Sequence, residues 1–477
     1  MTQYTVIFQP QGESVSVEAG STVLQAQILA GLHPDAPCGG KGTCGKCRVI
    51  LEGQEVLACR TAVDRDMTVY TLREETVKIL TEGVAAALQP DGTDDFALAF
   101  DIGTTTVVAY LLDGHTGKLL AQSSCINPQG QFGADVISRI QHVLAEGGEA
   151  MTDCIRGAMV ELTKEVARQA GTVPESITAS AIVGNTAMHH LLLGIDPKPL
   201  VTPPYMPALS EAIEKNGARI LPNIAGFVGG DTVGCMVATR FDRLEELSLL
   251  IDIGTNGEMV LGNKDRRIAC STAAGPAFEG AKISCGMRGA VGAVDHVTMR
   301  NGKITYHTIG ETAPKGLCGS GLLDLVAVLL DGEIIDESGR MECKEYRLCE
   351  NVTLTQKDVR EVQLAKAAIR AGIELLAEKM GVQVSDIRRV YLAGAFGNFL
   401  DPASACRIGM IPPVLRDRIR PIGNAAGEGA KLCALSRAEF EYSRRLAAET
   451  EFLELASLPQ FQDCYVDALE FCEEEEQ

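Results

Sequence analysis

The chain has no tryptophan, and aromatic residues make up only 5% of it. A surface that stacks bases needs aromatic faces, so a single-stranded nucleic-acid partner is disfavoured. Positive charge is also short: 43 Lys and Arg against 63 Asp and Glu give a net charge of −20. Such a surface repels a phosphate backbone, which disfavours DNA and RNA generally. No apolar run reaches 18 residues, so no membrane span is expected. The opening Met1-Thr-Gln-Tyr-Thr-Val-Ile-Phe lacks the basic and apolar regions of a secretory signal. These absences together suggest a cytoplasmic protein.

Cysteine and glycine are plentiful instead, at 16 and 49 residues. In a cytoplasmic chain, cysteines point to buried thiols or metal ligands rather than disulfides. Four of them cluster. Pro37-Cys38-Gly-Gly-Lys-Gly-Thr-Cys44-Gly-Lys-Cys47 is followed by Leu57-Ala-Cys59-Arg60, a C-x5-C-x2-C-x11-C pattern. Four thiolates are the ligand set of a [2Fe–2S] cluster. The intervening glycines let backbone N–H groups approach the sulfurs without side chains in the way. A four-cysteine zinc site is the rival, but zinc ribbons usually present two C-x2-C knuckles and this loop has one. Visible absorption separates the two, because zinc sites are colourless. Cys343/Cys349 and Cys464/Cys472 are only loose pairs, and Glu473 to Glu476 reads as a solvated acidic tail.

Around the loop, residues 4–9 and 14–18 alternate like a hairpin. Ser21 or Thr22 is placed to cap a helix running to Gly31. Residues 48–51 form a further strand. Hairpin, helix and cysteine loop make a small α+β unit over residues 1–82, and 83–95 reads as a linker. From residue 96 the pattern becomes α/β. Strands at 96–100, 248–251 and 390–392 run into glycine-rich turns, with helices between them such as 357–380. We divide this part into a first half, 96–205, and a second, 206–477.

Two turns are nearly identical: Asp101-Ile-Gly103-Thr104-Thr105-Thr106 and Asp252-Ile-Gly254-Thr255-Asn256. Each follows an apolar strand, which suggests a duplication. Glycine lets the backbone pass close to a phosphate, threonines offer hydroxyls, and an aspartate can hold Mg²⁺ through water. Tyr391-Leu-Ala-Gly394-Ala-Phe-Gly397-Asn398 is a third strand-then-glycine segment, suited to a nucleoside. The three together resemble the two phosphate motifs and the adenosine motif of the acetate and sugar kinase, heat-shock chaperone and actin superfamily. Gly230-Asp231-Thr-Val-Gly234 is similar to the first connecting motif of hexokinases, whose aspartate is the catalytic base. Gly423-Asn-Ala-Ala-Gly427-Glu-Gly429 is similar to the second, where small residues let helices cross.

A ferredoxin-like unit joined to such an ATPase resembles the ATP-dependent reductive activators of corrinoid-dependent enzymes. Val183-Gly-Asn-Thr-Ala-Met-His-His190, Ala274-Gly-Pro-Ala-Phe-Glu-Gly280 and Leu317-Cys-Gly-Ser-Gly321 add to that likeness. The resemblance implies a β-grasp ferredoxin domain followed by a duplicated, actin-like (RNase H-like) ATPase domain. It implies ATP and Mg²⁺ as cofactors beside the cluster. Asp231 and Asp252 would be catalytic. Asp101, Gly103, Thr104, Thr105, Thr106, Gly254, Thr255, Asn256, Gly394, Gly397 and Asn398 would hold nucleotide. The implied partners are a corrinoid-binding protein and an electron donor, either a reductase or a ferredoxin or flavodoxin, in a homodimer. The activity would return cobalt(II) to cobalt(I) for methyl transfer.

Other readings stand beside these. Asp231 can equally serve only as a helix cap, Glu258 and Glu279 read equally as catalytic carboxylates or as paired charges, and His189, His190 and Cys318 read as core. At the level of function, a small-molecule kinase with a fused redox domain, a radical-type dehydratase activator, or an electron carrier with an inactive ATPase fold are the competitors.

Overall fold

The computed structural model describes residues 2–32, 34, 36, 40–42, 45–71, 90–254 and 256–472. Cys38, Cys44, Thr255, most of the expected linker and the acidic tail lie outside that set.

The first unit contains β1 (Gln3–Gln9), β2 (Glu13–Glu18), a helix Val23–Leu29, β3 (Arg48–Leu51), β4 (Gln54–Leu57) and β5 (Met67–Thr71). Alternation in β1 sends Val6 and Phe8 into the core and leaves Ile7 outside. Thr22 caps the helix. Its hydroxyl accepts from the Gln25 N–H at 3.2 Å, and the Gln25 carboxamide accepts from the Thr22 N–H at 2.8 Å. The sheet order is β2-β1-β5-β3-β4, with β1 and β5 parallel and the remaining pairs antiparallel. This is the β-grasp arrangement, and the cysteine loop connects its helix to β3.

Two six-stranded sheets follow. The first is built from β6 (Phe96–Ile102), β7 (Thr106–Asp113), β8 (Leu119–Ile126), β9 (Ala179–Gly184), β10 (Ile213–Lys215) and β11 (Ala218–Ile220), in the order β10-β11-β9-β6-β7-β8. After it come β12 (Ser248–Ile253), β13 (Gly257–Gly262) and β14 (Arg267–Thr272). A small sheet of β15 (Ala293–Arg300), β16 (Lys303–Thr308) and β17 (Gly316–Leu317) is next, then a hairpin of β18 (Glu345–Cys349) and β19 (Val352–Thr355). β20 (Arg389–Ala393), β21 (Ile419–Gly423) and β22 (Glu451–Phe452) complete the second large sheet, ordered β21-β20-β12-β13-β14-β22.

The two sheets repeat one plan. β6-β7-β8 and β12-β13-β14 are antiparallel meanders, and β9 and β20 join the first strand of each in parallel. The first sheet takes in residues up to Ile220, so we place the division between halves just before β12 rather than at 205.

Helices Gly230–Thr239 and Ala425–Leu435 pack against each other between the sheets, and one apolar core includes side chains from both halves. Their crossing depends on two glycines. A Cβ on Gly429 would lie 2.1 Å from the Gly234 carbonyl oxygen, far inside contact distance. These are the segments that resemble the connecting motifs.

Candidate functional site: a nucleotide cleft and a cysteine cradle

The duplication sets two strand-to-turn corners facing one cleft. Asp101 lies near the end of β6 and Asp252 near the end of β12. In the first corner the Gly103 N–H donates to the Thr106 carbonyl at 2.9 Å. In the second, the Gly254 N–H donates to the Asn256 carbonyl at 2.9 Å, so that turn is one residue tighter. Asp101, Gly103, Thr104, Thr105, Thr106, Asp231, Asp252, Gly254, Asn256 and Gly394 all line the resulting cavity of about 320 Å³. That size suits a small-molecule ligand.

Gly394 has a positional reason. Its φ is +83°, and a Cβ there would lie 2.7 Å from a carboxylate oxygen of Asp252. Gly397 and Asn398 are not brought into the cleft. Gly397 packs on β20 instead, where a Cβ would meet that of Leu392 at 3.1 Å.

Asp231 sits in the first turn of helix Gly230–Thr239, and its carboxylate accepts from the Thr232 N–H at 2.7 Å. It lines the cleft while making this local bond. His189 and His190 are buried away from it, and the His190 Nδ1 lies 2.7 Å from the Thr186 carbonyl. Asn185 caps helix Thr186–Leu193 and donates its amide to the Thr104 hydroxyl at 2.9 Å.

Several cleft residues were not singled out from sequence as binding residues. Asn424 donates to Asp101 at 2.7 Å and to the Tyr110 hydroxyl at 3.1 Å. Phe278 and Phe396 stack with parallel rings whose centroids are 5.0 Å apart. Glu258 faces Asp252 across β12 and β13, at the position where Val108 faces Asp101 in the first half. The sequence offered Glu258 as either a catalytic carboxylate or a paired charge, and the strand register sets it beside Asp252.

The cleft gathers carboxyl groups whose proton affinities are raised together. The aspartates open onto the cleft but are otherwise ringed by protein. Burial pushes Asp101 up to about 6, although the Asn424 amide opposes the shift. Asp231 rises to about 7 through burial and the nearby Asp252 charge. Asp252 rises to about 7 through burial and Asp101. Burial drives Glu258 well above the carboxylate range, with Asp231 and Asp252 adding to it. A divalent cation would relieve this crowding of like charge. Among the described residues, no three His, Cys, Asp or Glu side chains are placed to hold a metal directly. Mg²⁺ is usually held through its own waters and phosphate oxygens, and carboxyls such as Asp101 and Asp252 can anchor those waters.

A pH dependence follows. Without a cation, Asp231 and Asp252 bind protons below about pH 7 and Asp101 below about pH 6, and they must release them to receive Mg²⁺-nucleotide. Affinity for Mg²⁺-ATP is expected to rise between about pH 6 and pH 8, by up to about tenfold for each proton released. Calorimetry in buffers of different ionisation enthalpy would read that release directly, and an affinity independent of pH would contradict it.

In the β-grasp unit Cys47 and Cys59 are buried together, and the Cys59 N–H points at the Cys47 Sγ at 3.5 Å. Gly40, Gly42 and Gly45 have φ of +81°, +72° and +67°. Only glycine enters that region without strain. An N–H aimed at a thiolate suits a cluster held by sulfur. The other two expected ligands are outside the described residues.

Fold and cleft thus define an ATPase of the actin, hexokinase and heat-shock class, joined to a ferredoxin domain. Residues 6–68 match the 2Fe-2S iron–sulfur cluster binding domain, 96–244 the RACo middle region, and 246–477 the C-terminal domain of RACo, the ASKHA domain. The corrinoid activation enzyme RamQ of Eubacterium limosum is 33% identical over 97% of this chain and 98% of its own. A [Co(II) methylated amine-specific corrinoid protein] reductase of Methanosarcina barkeri is 29% identical over 52% of this chain and 51% of its own. A solved structure, a reductive activator for corrinoid, iron–sulfur protein, aligns over 98% of both chains with 29% identity and a TM-score of 0.71. The chain belongs to the family of reductive activators of corrinoid proteins.

Proposed function

We propose that this protein uses ATP to drive one electron from a [2Fe–2S] cluster onto the cobalt(II) of a corrinoid-binding protein, restoring cobalt(I) for methyl transfer. The observation that carries the reading is the union, in one chain, of a cysteine cradle and a two-sided nucleotide cleft. Full-length similarity to a corrinoid activation enzyme supports it.

Cys38, Cys44, Cys47 and Cys59 would hold the cluster, which when bound supplies a one-electron carrier with a potential near about −400 mV. Thr104, Thr105 and Thr106 would receive the phosphates from one side, and Gly254, Thr255 and Asn256 from the other. Asp101 and Asp252 would hold Mg²⁺ through its waters. Asp231, on the cleft wall, would orient the attacking water. Gly394 would leave room beside Asp252 for the nucleoside.

Cobalt(II) in a corrinoid is a poor electron acceptor, and each ~59 mV uphill costs a factor of ten for one electron. ATP can offset this only through different affinities for two conformations of the protein. The two halves, meeting at the Gly234–Gly429 crossing, are the elements that would close on nucleotide. We assign the protein to the cytoplasm, as a homodimer fed by a reductase, ferredoxin or flavodoxin. No helix among the described residues is long and apolar enough to cross a membrane.

The test is reduction of a cobalt(II) corrinoid protein by the reduced protein, followed by cobalt absorbance. ATP should raise the extent of reduction at least about tenfold, equivalent to about 1.4 kcal/mol. Equal reduction with and without ATP would defeat the coupling.

A further inference from the structure

The segment Ala274–Gly280 has no part in the assignments above, yet it carries a carboxylate into the phosphate end of the cleft. A short turn, Pro276–Glu279, is bounded by Gly275 and Gly280, with φ of +78° and +76°. The chain then doubles back so closely that a Cβ on Gly280 would lie 2.4 Å from the Met287 carbonyl oxygen. Glu279 and Arg288 are thereby carried on one folded loop, and both line the cleft.

The Glu279 carboxylate accepts a hydrogen bond from the Thr105 hydroxyl at 3.0 Å. Thr105 belongs to the phosphate-type turn of the opposite half, so this bond spans the cleft. Behind the same turn lies Arg139, 1% exposed, which donates to the Thr104 carbonyl at 2.6 Å and to the Gly133 carbonyl at 3.0 Å. Burial lowers Arg139 to about 10; the negative charge of Glu279 opposes that shift and the positive charge of Arg288 adds to it. A carboxylate therefore occupies the threonine hydroxyl of the phosphate-type turn, with Arg288 lining the same cleft and the Arg139 guanidinium behind the turn. Those are the groups that bind a phosphate.

Resting on the ATP-driven reading, we propose that Glu279 stands in for the terminal phosphate of ATP in the empty cleft, and that a nucleoside triphosphate expels it. The carboxylate and a γ-phosphate cannot share Thr105, because both are anions that need the same donor. A diphosphate does not reach that position and leaves Glu279 in place. Expulsion moves the 274–289 loop. That loop is hydrogen-bonded to β17, through the Met287 N–H to the Leu317 carbonyl at 2.9 Å and the Leu317 N–H to the Cys285 carbonyl at 2.8 Å. The difference between triphosphate and diphosphate is thus passed to β15–β17 and to the helix Gly319–Asp331. Glu279 acts here as a positioning residue.

Glu279→Gln keeps an oxygen acceptor for Thr105 and removes the charge. Its affinity for a non-hydrolysable ATP analogue should rise about tenfold, or about 1.4 kcal/mol, while that for ADP changes less than about twofold. Unchanged or weaker binding of the analogue, or an equal gain for ADP, would overturn the proposal. Hydrogen exchange on the unaltered protein gives an independent reading. Residues 274–289 should exchange faster with the analogue than with ADP, and equal exchange would also overturn it. An unaltered protein that binds neither nucleotide removes the ATPase reading itself. One that binds ATP and reduces cobalt, beside a Glu279→Gln variant of unchanged affinity, removes only the displacement of Glu279.

Discussion

Cys59→Ser will strip the protein of its visible absorption and of its ability to reduce cobalt, while leaving ATP affinity unchanged. Cys59 follows β4 and is buried against the core of the β-grasp unit, beside Cys47. A serine fits the same space, so the strands around it should persist. What is lost is a thiolate ligand. Loss of an outer-shell partner of a metal typically costs about 10–100-fold in affinity or activity, and a direct ligand should cost at least as much. Electron transfer should therefore fall by more than about 100-fold. On the proposed assignment nucleotide binds at the Asp101 and Asp252 corners, so its affinity should not move. A colourless variant with full reducing activity would mean that the electrons do not pass through these cysteines.

Asp252→Asn should separate stability from function. Asparagine has nearly the same shape, so Gly394 still fits against it. In the empty protein the substitution removes a carboxyl held at about 7 by burial and by Asp101. The sign is fixed by linkage. A carboxyl raised from 3.8 to about 7 on folding destabilises the folded state progressively as pH rises through that window. At about pH 8 the variant without nucleotide should be more stable than the parent, by on the order of 1 kcal/mol, or about 2–4 °C in melting temperature. ATP-stimulated cobalt reduction should fall about 100-fold, the usual cost of removing a group that stabilises transferring charge. Calorimetry at pH 8 and the cobalt assay read the two effects. A variant both less stable and less active would reduce Asp252 to a structural residue.

Much of the site was legible because its signals are local. The four cysteines lie within 22 residues, and each Asp-Ile-Gly-Thr corner and the glycine segment at 394 within eight. Backbone and side-chain requirements at such corners are met by the immediate sequence. Glu258 was harder to read, since its significance comes from register: it faces Asp252 only because the second turn is one residue tighter than the first. Asn424 was harder still, because it reaches Asp101 from a helix far away in the chain. Gly397 misled for the opposite reason. A glycine beside a nucleotide-type turn reads as ligand contact, whereas this one answers to the Leu392 side chain on β20.

By itself, then, the sequence determined which chemistry is present: four thiols spaced for iron and sulfide, and paired aspartate corners spaced for phosphate and Mg²⁺. Short-range geometry suffices for those, because turn conformation and ligand identity are set by neighbouring residues. Only the tertiary structure decided what the corners face. It brought Asp101, Asp231, Asp252 and Glu258 into one cleft, where burial raises every one of them and like-charge repulsion adds to the rise at Asp231, Asp252 and Glu258. It also set Glu279 against Thr105 across that cleft. Charge repulsion and cross-cleft hydrogen bonds act through space over a few ångströms, and no spacing along the chain encodes them.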